Sequence, residues 1–200
     1  MQSAESMSCN MYERNARAFG SAIGTIFLSV FGLVWVLLAL ASLDRLHAGL
    51  AILFSCFVAV LLVLSISTIR RTRALARDKT NAARNKHINR MCGLVNAVQW
   101  TAIFIAVQLL AHFHRTNWIV SAITLIVGAH FWPLAYLFKA RVYYFTGWVL
   151  VIWTIAAAFI FPANFMDAAA ALGTGAILWL TAIKLTWDSV RSTQGLVRVS

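Results

Sequence analysis

The sequence predicts an all-α, polytopic membrane protein, a bundle of six transmembrane helices with both termini on one side. Three observations carry that prediction. The 200 residues are 61% hydrophobic and 12% charged, against about 45–50% and about 25% in soluble domains. Six apolar runs each approach the roughly 20 residues needed to cross about 30 Å of hydrocarbon. The charges gather at the ends of those runs, and they are strongly one-sided.

The elements follow in order. Residues 1–18 form a polar segment, and the first span runs over 19–41. Ala39-Leu40-Ala41 resembles a small-residue cleavage site. The apolar stretch before it exceeds the roughly 7–15 residues of a signal peptide, so an uncleaved signal-anchor is the expectation. The second span covers 48–69 and stops at Arg70. A long connection, "RRTRALARDKTNAARNKHINR", occupies 70–90, and its Leu75, Ala76, Ala82, Ala83 and Ile88 allow it to be helical. It would then extend the neighbouring spans or lie on the headgroups. The remaining spans are 91–112, 117–138, 142–161 and 165–187, followed by a tail at 188–200. A chain of this length has one domain, the transmembrane unit 19–187.

Of the 17 Lys and Arg residues, only Arg45 and Arg115 fall on the side opposite the basic loop. Cytoplasmic loops carry the excess of Lys and Arg, so the expected orientation is N-in and C-in, in a bacterial inner membrane. The formal net charge of +11 then points to anionic lipid headgroups at Arg70, Arg71, Arg73, Arg77 and Arg84 rather than to nucleic acid. Cys9, Cys56 and Cys92 are odd in number, none lies outside, and no C-x-x-C pair occurs, so neither a structural disulfide nor thiol redox chemistry is expected.

Membrane helices meet through small residues. "GSAIG" at 20–24, with Thr25, Ser29 and Gly32, gives the first span a small face, and "DAAAALGTGA" at 167–176 does the same for the sixth. Bundle packing is the plain use of both, and a homodimer seam is the alternative. Gly173-Thr174-Gly175 follows no strand and is no nucleotide motif. Trp118, Phe161 and Phe165 at one level, and Tyr143, Tyr144 and Trp187 at the other, form an aromatic belt.

Polar side chains at depth are expensive and by default turn inward. With direction fixed by topology, residue number converts to depth at about 1.5 Å per residue. Asn96 and Gln99 of the third span, His130 of the fourth, Ser65 of the second, and Thr181 and Lys184 of the sixth all fall in the inner half. They are the candidate polar site. Pro133 lacks an N–H and its ring clashes with the Ala129 carbonyl, so that carbonyl should lose its usual partner one turn from a titratable imidazole. At the outer surface Gln108, His112 and Arg115 share a face with Thr101, and His47, Asp44, His114, Asn117 and Asp167 sit nearby. Imidazoles with carboxylates can hold zinc or copper, which makes His112, His114, His47 and Asp167 candidate ligands. The His-x-His spacing places its rings on opposite sides of a helix and no H-E-x-x-H occurs, so neither metal nor cofactor is expected. Six acids serve the whole chain, with no G-x-S-x-G, paired intramembrane aspartates or P-loop, and no enzyme is expected.

"GAHFWPLAYLF" at 128–138, followed by "ARVYYFTG" at 140–147, resembles a pattern in small uncharacterised bacterial inner-membrane proteins. There G-x-H-F-x-P-L-A-x-x-F closes one span and a tyrosine-containing turn opens the next. Gly128, His130, Phe131, Pro133, Leu134, Ala135 and Phe138 are the shared positions, over about 20 residues. The resemblance implies the membrane class and brings no activity. Two functions follow as expectations: handling of a small solute or ion around His130, or a non-transporting sensor or interaction protein that uses the basic loop.

Overall fold

The computed structural model describes residues 2–45, 47–73, 82–138 and 140–197, with side chains in 20–45, 47–70, 90–138, 140–162 and 165–191. Six long helices follow one another: α1 (Gln2–Ser42), α2 (Ala48–Arg73), α3 (Ala82–His112), α4 (Ile119–Phe138), α5 (Arg141–Ile160) and α6 (Ala163–Val197). A single 3-10 turn, Thr116–Trp118, precedes α4. Each long helix contains a stretch long and apolar enough to cross a membrane. The predicted fold class is the observed one.

At the end of the bundle away from the basic segment, the helices stop within a residue of the predicted spans, at Ser42, His112 and Ile160 in place of 41, 112 and 161, and the α4–α5 turn at the other end also falls as predicted, between Phe138 and Arg141. The other four helices overrun at the basic end. α1 begins at Gln2, α2 continues to Arg73, α3 starts at Ala82 and α6 reaches Val197. Intrahelical hydrogen bonds form equally well beyond the hydrocarbon, so hydropathy marks the span and not the helix. The described parts of 70–90 are therefore extensions of α2 and α3, one of the two arrangements anticipated for that loop.

Two tight turns close the far end. Asp44 and His114 adopt left-handed backbone at φ 53° and 54°. The Arg45 N–H donates to the Leu40 carbonyl at 2.9 Å, and the Arg115 N–H to that of Leu110 at 2.8 Å. These bonds satisfy last-turn carbonyls in the manner of a helix cap that favours glycine at the left-handed position. Pro162 opens the third turn, its carbonyl accepting from Phe165 and Met166 at 2.9 and 3.0 Å as α6 begins.

α6 is the central helix: α1, α2, α4 and α5 all lie against it. α1 and α6 form the largest contact and cross at Gly32 and Gly175, where a Cβ on Gly32 would come within 3.2 Å of the Gly175 carbonyl oxygen. The Trp179 indole covers that crossing and donates from Nε1 to the Ser29 carbonyl at 3.1 Å. Most of the small faces read from "GSAIG" and "DAAAALGTGA" are thus spent on each other and on α5, with Gly24 beneath the Tyr143 hydroxyl and Gly173 beneath Trp153, while Gly20 is exposed with no atom within 4 Å of a Cβ built on it.

Every buried polar residue among the described ones is a serine or threonine. Most bond the carbonyl one turn back on their own helix, as Ser65 does to Leu61 at 2.8 Å, Thr154 to Leu150 at 2.8 Å and Thr174 to Ala170 at 2.7 Å. Between helices, the Thr146 and Thr181 hydroxyls meet at 2.9 Å, and weaker approaches join Thr124 to Thr174 at 3.5 Å and Thr25 to Thr186 at 3.4 Å.

Candidate functional site

The stretch 128–147 folds as one unit, the α4–α5 hairpin. Gly128 and Gly147 let the two backbones touch: a Cβ on Gly147 would stand 2.8 Å from the Gly128 carbonyl oxygen. One turn inward, Phe131 stacks on Tyr143 with centroids 6.0 Å apart, and Trp132 packs on Trp148 at 4.9 Å. Ala135 is fully buried, and Phe138 closes the end against Tyr143 at 6.2 Å. Gly128, Phe131, Ala135 and Phe138 of the sequence pattern therefore serve packing.

Of the other three positions, Leu134 is partly buried, and Pro133 and His130 point elsewhere. Pro133 and Ala129 are exposed on the outer side of α4, so the carbonyl relieved of its amide partner faces the surroundings of the bundle. His130 is half-buried and lies away from the face that α4 turns to α5 and α6. No hydrogen bond to its ring occurs among the described residues; its ring neighbour is Phe131, at 6.4 Å.

The six candidates of the half nearer the basic segment do not gather. Ser65 is buried on α2, which packs against α1 and α6. Thr181 is buried between α6 and α5, bonded to Ile177 and Thr146. Lys184 is exposed and pairs with Asp188 at 3.2 Å. Asn96 is exposed on α3, and Gln99 is half-buried on the side of α3 that faces α4. Gln99 lies 13 residues before the end of α3 and His130 lies 11 after the start of α4, about 20 and about 17 Å from their shared turn at 1.5 Å per residue. These two alone share a seam and a level.

At the far end, His47, His112 and His114 are exposed and Asp167 is half-buried. No three His, Cys, Asp or Glu side chains among the described residues gather in a way that could hold a metal ion. His114 owes its place to the left-handed turn, where histidine is among the more tolerated residues. Arg70 is exposed at the basic end; Arg71, Arg73, Arg77 and Arg84 lie outside the residues whose side chains are described.

Sequence reasoning missed two features. The first is tryptophan laid over glycine across helix pairs. Trp179 over Gly32 and Trp153 over Gly173 each donate to a carbonyl about one turn earlier, Ser29 and Ala169, both at 3.1 Å. Trp132 over Gly147 repeats the stacking, but its buried Nε1 has no acceptor among the described residues. The second is the isolation of α3. Its one substantial helix neighbour is α4, and none of its spanning residues is buried, against half in α6. Cys92, Val95, Gln99, Ala102, Ile103 and Ala106 are partly covered by α4, while Leu94, Ala97, Thr101, Phe104 and Gln108 are exposed on the other side. The amides of Asn96 and Gln108 make no hydrogen bond among the described residues.

Residues 13–188 match the family of unknown function DUF7010. The chain belongs to that family. The family is one of unknown function, so membership in it assigns no activity. No curated protein and no solved structure matches the chain. The six apolar helices of this DUF7010 member make it a multi-pass integral membrane protein.

Proposed function

We propose that this protein acts by contact with other proteins inside the bilayer, with α3 as its recognition helix and without passing solute. The observation that carries this reading is the placement of α3: a span with no buried residue that nevertheless holds Asn96 and Gln108 exposed at membrane depth. An amide without a partner in hydrocarbon is costly, and a second helix would relieve it. The bundle itself offers little to a solute, since the buried polar residues among the described ones are serines and threonines, most of them bonded to their own helices. We assign the setting to a bacterial inner membrane with both termini cytoplasmic. There Arg70, Arg90, Arg141 and Arg191, all exposed at the basic end, would meet anionic headgroups.

Flux through proteoliposomes tests this. Proton and cation leak should match that of empty vesicles and be the same in His130→Ala. A pH-driven flux that His130→Ala abolishes would sink the reading. It would favour instead the handling of a small ion at the α3–α4 seam, where Gln99 and His130 share a level.

A further inference from the structure

We infer that the wedge between α4, α5 and α6 binds a sodium ion at its end away from the basic segment, held by the Asp167 carboxylate and the hydroxyls of Ser121 and Thr154. The site is independent of what α3 meets.

Four buried side-chain polar atoms have no hydrogen-bond partner among the described residues, and two of them, Asp167 Oδ1 and Ser121 Oγ, belong to one seam. The three helices pack on one another, and two contacts fix their register. Thr124 of α4 approaches Thr174 of α6 at 3.5 Å. Asp167 precedes Thr174 by seven residues and Ser121 precedes Thr124 by three, so each shares a helix face with its threonine. They lie about 10.5 and about 4.5 Å outward of the threonine contact, at 1.5 Å per residue. On α5, Gly147 touches Gly128. Ser121 and Thr154 each lie seven residues outward from that touch, and so share a level. Both are buried, at 3% and 1% exposed, and Asp167 is half-buried.

The chemistry of these oxygens names the ligand. A carboxylate oxygen withdrawn from water needs positive charge beside it, and no Lys, Arg or His among the described residues bonds this one. The Thr154 hydroxyl donates to the Leu150 carbonyl at 2.8 Å, which leaves its oxygen able to coordinate. The levels of Asp167 and Ser121 differ by about 6 Å, too far for a direct hydrogen bond. Two oxygens across one ion, each at about 2.3–2.6 Å, span a similar distance. An all-oxygen set suits a hard cation, one carboxylate balances one positive charge, and sodium is the monovalent ion of calcium's size. Leu150 and Leu178, both fully buried, lie four residues deeper than Thr154 and Thr174. They close the site from below, so the ion is held and not passed.

Heat unfolding of the full chain in mild detergent tests the site, in sodium chloride against choline chloride at equal ionic strength. Sodium should raise the midpoint saturably. Asp167→Asn should abolish that response, and Ser121→Ala should weaken the sodium affinity about fivefold. Asp44→Asn, which alters an exposed acid at the same end, should leave it unchanged. Broadening of the sodium NMR signal by the wild type, reduced in Ser121→Ala, reads the same site should Asp167→Asn fail to fold. Equal midpoints in sodium and choline would overturn the site. So would a midpoint that rises on acidification and ignores sodium, since a proton would then hold the carboxylate. A stronger response to calcium than to sodium would overturn the monovalent assignment.

Discussion

Adding one methyl group at Gly32 tests the α1–α6 crossing most directly. A Cβ there would lie 2.5 Å from Cδ1 and 2.6 Å from Nε1 of Trp179, and 3.2 Å from the Gly175 carbonyl oxygen. Both sides of the contact resist, since one is backbone and the other is an indole fixed by its bond to Ser29. Overpacking of this kind costs about 1–3 kcal/mol, and displacing the indole loses a membrane hydrogen bond of about 0.6 kcal/mol. Replacing glycine by alanine in a helix returns roughly 0.5–1 kcal/mol. Gly32→Ala should therefore destabilise by about 1–3 kcal/mol. Gly93→Ala, with no atom within 4 Å of the new carbon, should be neutral or slightly stabilising. Unfolding by SDS from mild-detergent micelles, followed by tryptophan fluorescence, measures both. Equal midpoints for the two variants would refute the close crossing. A Trp179→Leu background should also shrink the Gly32→Ala penalty, because neighbours that share a contact are not additive.

Three further outcomes follow from the same geometry. Trp179→Phe and Trp153→Phe each remove the second donor to a helical carbonyl and should cost about 1 kcal/mol, whereas Trp132→Phe removes a buried N–H with no partner among the described residues and should be neutral or stabilising by SDS unfolding. Thr146→Val and Thr181→Val, combined in a double-mutant cycle, should couple by about 0.6 kcal/mol, since each hydroxyl keeps a bond to its own helix; a zero coupling would contradict the 2.9 Å contact. His114→Gly should stabilise by up to about 1 kcal/mol, as the left-handed cost of about 1–2 kcal/mol exceeds the entropy cost of glycine, while His114→Val should destabilise.

Much of the fold was legible because hydrocarbon imposes a length and charge imposes an end. His112 and Phe138 close their helices where the apolar runs stop. The candidate site was not legible in the same way. Depth follows from residue number, but the position of each helix around the bundle does not. Ser65 and Asn96 fall in the same half of the membrane, yet α2 packs on α1 and α6 while α3 packs on α4. Likewise "GSAIG" signals a close approach without saying to what, and its partners, Tyr143 and Leu185, come from helices far along the chain. Of the "GAHFWPLAYLF" stretch, the proline and histidine drew the eye as chemistry. Gly128, Phe131 and Ala135, which read as filler, hold the hairpin together.

The threonines that bond their own helices bear on how such a chain enters the bilayer. A hydroxyl that waits for a neighbouring span is exposed to lipid until that span arrives. Thr154, Thr174 and Thr186 have their acceptors one turn back on the same helix, so each is satisfied once its helix forms. Spans can then leave the insertion machinery singly and in chain order. α1 can wait in lipid for α6, its principal partner, which is made after the four helices between them.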